Sequence, residues 1–113
     1  MLKSHPMSEA RADYEKAVDL FAAGKSDAAV ALLERLAAEH PDFADAYESL
    51  GMMHYKAGRY DEAISWTDKL AALRPDYAMA HTNLSIFYMK KGMKEKAEEE
   101  KAIATVLNFG SKK

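Results

Sequence analysis

Residues 44–75 read ADAYESLGMMHYKAGRYDEAISWTDKLAALRP. Leu50, Met53, His54 and Ala57 recur at helical spacing before Gly58, and Ala63, Trp66, Leu70 and Leu73 do so after it. Gly58 lies between the two runs and ends the first, because glycine takes a positive φ at little cost. Pro75 ends the second, because proline cannot continue the hydrogen-bond ladder. The stretch therefore predicts a helical hairpin. Asp76 follows Pro75, as Asp42 follows Pro41, and each is expected to cap the next helix through its carboxylate.

The same punctuation returns at one distance. Gly24, Gly58 and Gly92 are 34 residues apart, as are Ala29, Ala63 and Ala97, the pair Pro41 and Pro75, and the pair Leu50 and Leu84. PDFADAY (41–47) and PDYAMAH (75–81) keep the step. The chain is three copies of one unit over about residues 10–109. Helices are expected at 8–23, 27–39, 43–57, 61–73, 77–91 and 95–108, giving an all-α fold, an α-solenoid of three antiparallel helix pairs. The repeat domain is placed at 8–109, divided at about 10–43, 44–77 and 78–109, between a flexible tail (1–7) and a basic tail (110–113) that begins where Gly110 ends the last helix. Gly51 is not punctuation. Its counterparts, Ala17 and Ser85, are also small, as expected where two helix axes approach to about 8–10 Å.

This pattern resembles the tetratricopeptide repeat family. The middle unit carries the signature in Tyr47, Leu50, Gly51, Tyr55, Gly58, Tyr60, Ala63 and Pro75. The outer units keep Ala17, Gly24, Ala29 and Pro41, and then Leu84, Tyr88, Gly92 and Ala97. The resemblance implies a right-handed superhelix whose concave face binds a peptide or helix of another protein, without catalysis and without a cofactor. A subclass of the family grips a C-terminal carboxylate with lysine, asparagine and arginine. Those residues would fall at Tyr14, Val18, Ser49, Met79 and Asn83, of which only Asn83 is even an amide, so that reading is excluded.

Composition agrees with a binding module. The 113 residues carry 16 basic and 18 acidic side chains, mixed along the chain, which gives no footprint for nucleic acid or anionic lipid. The longest apolar run, Ala28 to Leu33, is too short for a bilayer. With no cysteine, there is neither a disulfide nor a thiolate metal site, and a soluble, cytoplasmic protein is expected.

On the first helix of each unit, the side away from the packed seam reads Tyr14, Val18, Phe21; then Glu48, Met52, Tyr55; then Thr82, Ile86, Met89. Each trio has i, i+4, i+7 spacing and so forms one stripe. By the resemblance these stripes line the concave groove, with Arg11, Asp45, Ser49, Lys56, Met79, Asn83 and Lys90 around them. An apolar floor with tyrosine and methionine suits an apolar peptide or an amphipathic helix. Tyr55→Ala and Met52→Glu are expected to abolish capture while leaving stability nearly unchanged.

Both ends of the array turn polar. Asp13 and Lys16 stand where later units carry Tyr47 and Leu50, and Glu98, Glu100, Lys101 and Thr105 stand where the second unit has Ile64, Trp66, Thr67 and Ala71. Three repeats are therefore expected to be the whole array. Ala102, Ile103, Val106 and Phe109, with Leu107, form an apolar stripe on the last helix. It either covers its own repeat or joins two copies into a homo-oligomer. The EKAEEEKA run (95–102) reads as a solvated helix face with pairs such as Lys96–Glu100. His54 and His81 lie at packed positions of adjacent units. No third ligand joins them at ligand spacing, so no metal is expected, and each is read as a half-buried ring with one hydrogen bond.

Overall fold

A computed structural model describes residues 6–111. In chain order it contains α1 (Pro6–Ala22), α2 (Ser26–Glu39), α3 (Ala44–Lys56), α4 (Tyr60–Leu73), α5 (Ala78–Lys90) and α6 (Lys94–Ser111). Among the described residues there is no strand. Each helix packs on the next in sequence, making three antiparallel hairpins stacked into a solenoid. Helix reaches past both expected edges of the repeat: α1 already includes Pro6, and α6 continues through Gly110 to Ser111. Gly110 therefore does not end the last helix. The rest of the two expected tails, residues 1–5 and 112–113, lies outside the described residues.

The three glycines act as expected. Gly24, Gly58 and Gly92 have φ of 83°, 79° and 75°. Each sits in the same pair of bonds, seen at Gly58 as Gly58 N–H to Tyr55 O (3.0 Å) and Arg59 N–H to His54 O (2.9 Å). This is the Schellman closure, which satisfies carbonyls that a helix end would orphan.

The aspartate caps are corrected. The N-cap residues of α3 and α5 are Phe43 and Tyr77, and neither helix has a side-chain cap bond. The turns take Asp42 and Asp76 instead: Phe43 N–H reaches His40 O at 2.9 Å and Tyr77 N–H reaches Arg74 O at 3.0 Å. Proline at the second position of a β-turn favours this arrangement and moves the helix start one residue on. The aromatic at that start is thereby turned into the seam between hairpins.

Small residues set the helix spacing. Ala17, Ala29 and Ala63 are fully buried, and Ala97 nearly so. A Cβ added at Gly51 would lie 2.5 Å from Thr67 Oγ1, whose hydroxyl donates to Ala63 O. Leu33, Leu36, Leu50, Leu70, Leu84 and Phe87 fill the remaining core. Packing, not capping, holds the array.

Candidate partner-binding groove

The first helices of the hairpins stand side by side and present one face. α1 and α3 are tied across it by Tyr14 and Ser49, whose hydroxyls lie 2.8 Å apart, and by the Arg11–Asp45 ion pair at 2.7 Å. The Arg11 guanidinium also lies over the rings of Tyr14 and Phe43, which meet edge to face at 5.7 Å. The ion pair is half exposed and contributes about 0–1 kcal/mol. Its role is to fix the rim.

Below this rim, a groove of about 370 Å³ opens between α1 and α3. Tyr14, Val18, Phe21, Met52 and Met53 supply its apolar lining, and Glu48, Ser49 and Lys56 its polar edge. The spacing rule thus brings together the whole first trio and two members of the second. Val18 is 41% exposed, and the Lys56 ammonium lies 6.0 Å from the centre of the Phe21 ring. At the other end Glu48 accepts a 2.8 Å hydrogen bond from the Tyr77 hydroxyl. Burial first, and then the bond to Glu48, push the Tyr77 pKa up to about 12, so the phenol stays a donor and anchors the carboxylate.

Other expected residues fall elsewhere. Asn83 is buried at 9% exposure and is no part of an open groove. Tyr55 is half buried: its ring lies 4.9 Å from that of buried Phe87 and 5.8 Å from that of Tyr60. It packs hairpin two on hairpin three, so the expectation that Tyr55→Ala spares stability is not retained. The buried position in register with Tyr88 is His54, one residue earlier. Ile86, Met89 and Met79 are exposed on or beside α5, while Thr82 is half buried and its hydroxyl reaches back to Ala78 O. Met53 and Phe43 are the residues that sequence reasoning missed. Phe43, expected as the first residue of the third helix, has no place in the i, i+4, i+7 stripes, and Met53 belongs by spacing to the seam; only 6% exposed, Met53 also forms the groove floor.

The two histidines are engaged separately. Arg59 Nε donates to His54 Nδ1 at 2.8 Å, and His81 Nδ1 lies 2.6 Å from Glu100 Oε1. His54 is buried rather than half buried, and its Nε2 has no partner. Burial foremost, and then the Arg59 charge, lower its pKa. Glu100 corrects the reading of the 95–102 run, since it turns inward to His81 rather than pairing along a solvated face. Lys96 lies over the Tyr88 ring instead. Among the described residues, no three His, Cys, Asp or Glu side chains gather to hold a metal ion, and no helix is long and apolar enough to cross a membrane.

Comparison with known proteins agrees with this architecture. A crystal structure of MamA superposes with a TM-score of 0.86 at 26% identity, covering 90% of this chain and 60% of that one. A second MamA structure gives 0.83 at 28% identity, covering 87% and 54%. The chain thus spans little more than half the length of these MamA chains. The second repeat domain of Spaghetti (RPAP3), bound to the HSP90 peptide SRMEEVD, gives 0.79 at 19% identity, covering 87% of this chain and 91% of that one, a likeness of fold alone. No curated protein sequence matches significantly. The tetratricopeptide repeat family model matches residues 14–78, more than half of the chain. With the 34-residue step, the three glycine closures and that match, this chain belongs to the tetratricopeptide repeat family.

Proposed function

We propose that this protein is a non-enzymatic interaction module that holds a peptide or amphipathic helix of another protein against the α1–α3–α5 face. The observation that carries the reading is the open apolar groove between α1 and α3, lined by Tyr14, Val18, Phe21, Met52 and Met53. Apolar side chains of a guest entering it leave water, at about 25 cal/mol per Å² buried. Methionine adapts its shape to them, and the half-buried aromatics lose little entropy on contact. Arg11, Asp45, Glu48 and Lys56 mark both charge signs at the edge and so select the guest's orientation more than its affinity. Ile86 and Met89 extend the contact along α5. A cytoplasmic location is part of this proposal and is checked by cell fractionation.

The test is affinity capture from native lysate with wild-type protein, Val18→Glu and Met52→Glu. Both substitutions place a carboxylate in the groove without emptying the core. Wild type retains a partner that both variants lose, while all three melt within about 2 °C, the range of a surface change. Equal capture by all three proteins contradicts the assignment.

A further inference from the structure

The α1–α3 groove carries its charge in one order. Glu48 stands toward one end and Lys56 toward the other, eight residues apart on α3 and so about 12 Å apart along its axis. Neither is in an ion pair among the described residues. The Tyr77 hydroxyl donates to Glu48 Oε2, which fixes this carboxylate and leaves its charge unmatched. Lys56 lies over the Phe21 ring, where both helices end. The apolar floor between the two charges offers little to a peptide backbone. No side-chain amide lines it, and the Tyr14 and Ser49 hydroxyls already bond each other.

Building on the groove proposed above, we infer that its guest is an amphipathic helix of another protein, seated antiparallel to α1 and α3, with an acidic residue at its start and a basic residue two turns later. An extended guest would bring a backbone N–H and C=O onto the floor at each residue and desolvate them without partners. A helix keeps those bonds within itself. Its direction follows from the dipoles. The Tyr14–Ser49 and Arg11–Asp45 contacts join α1 and α3 in one register, so both run from the Glu48 end toward the Lys56 end. An antiparallel guest sets the positive end of its dipole against the negative ends of these two helices. Its first-turn carboxylate then meets Lys56, and its cation meets Glu48. Charge matching alone also admits a parallel guest with a basic start and an acidic end. That guest opposes its own dipole as well as those of α1 and α3. Residues seven apart share a helix face and span about 10.5 Å, which long side chains extend to the two charges. The guest pattern is therefore an acid, apolar residues three and four positions on, and a base at seven.

Designed alanine-rich peptides of about 16 residues, long enough to hold a helix, test this by fluorescence anisotropy. One carries glutamate, leucines three and four residues on, and lysine at seven. A second exchanges the glutamate and the lysine, a third has glutamine at both places, and a fourth is the first with proline at its centre. Wild type binds the acid-first peptide roughly tenfold tighter than the base-first one at low salt, and salt narrows the gap. The exposed Lys56→Glu variant loses this preference, and a peptide with lysine at both ends recovers tight binding to it. Direction is read by cross-linking, because the chain has no cysteine and a disulfide needs α-carbons within about 7 Å. Lys56→Cys links to a cysteine at the acidic end of the first peptide and not to one at its basic end. Val18→Glu loses the glutamine peptide along with the charged ones. If Val18→Glu binds every peptide as wild type does, the groove itself is wrong and the helix falls with it. If Val18→Glu binds none, the groove stands, and three results then overturn the antiparallel helix: equal binding of both charge orders, tight binding of the proline peptide, or linkage of Lys56→Cys to the basic end. A wild type that binds none of the four overturns it as well.

Discussion

The face lined by α1, α3 and α5 has two steps in the same repeat register, and they are finished differently. At the α1–α3 step, Phe21 stands beside Met53 and the surface stays open as a groove of about 370 Å³. One repeat later the same two positions hold Tyr55 and Phe87, whose rings pack at 4.9 Å. Phe87 is 1% exposed, so the second step is filled from within by its own aromatic pair. The residue facing the stripe is larger at the second step, Phe87 against Met53, and its buried ring takes up space beside Tyr55.

Removing the ring that fills the second step gives the largest expected effect. Phe87→Ala should cost about 3–5 kcal/mol, read from urea unfolding, because it leaves a cavity against Tyr55 and the α5–α6 seam. Both steps share α3, so its seat on α4 is the next point to strike. Gly51→Leu drives a side chain into Thr67 and should cost about 1–3 kcal/mol by overpacking. Gly51→Ala, whose Cβ alone would meet Thr67 Oγ1 at 2.5 Å, should cost less than leucine but forfeit the ~1 kcal/mol that helix propensity would otherwise give. Met53→Phe copies the second step into the first. If facing-residue volume sets the difference, this variant folds with a penalty of about 1–3 kcal/mol and loses the lysate partner that wild type captures.

The smallest effect is a pH dependence in the shared helix. The His54 ring accepts from Arg59 and is buried neutral, with its folded pKa below the ordinary value of 6.5. The unfolded chain binds the extra proton first as pH falls, so this contribution is complete above about 6.5 and is lost on acidification below it. Leu20 occupies the equivalent place in the first repeat. In thermal melts, His54→Leu should therefore gain on wild type as pH falls from about 7.5 to about 5.5.

The fold was legible because its determinants are local: a glycine that must take positive φ, a proline that must stop a helix, and small residues at one step. The groove was legible only in outline. Spacing placed Tyr14, Val18, Phe21 and Met52 on one face, but the depth of each step depends on a residue of the neighbouring helix, Met53 or Phe87, which no stripe on a single helix contains. Asn83 was misplaced for the same reason, since its burial is set by neighbouring helices. The Asp42 and Asp76 caps failed to a competing local rule, the proline turn that takes the residue after it. Glu100 was misread by looking along one helix. Counted by repeat, it occupies the place of Trp66 and His81 that of Tyr47, and those two rings stack at 5.9 Å where the third repeat makes a hydrogen bond.

The chain's seven methionines allow the groove to be read directly. With methionine methyls labelled, a peptide selected from a random library by the wild-type protein is titrated in and followed by NMR. The account predicts that the Met52 and Met53 signals shift first and most, and that Val18→Glu abolishes the shift. A peptide that moves only Met79 and Met89, or that binds the Val18→Glu protein as well as wild type, would contradict it.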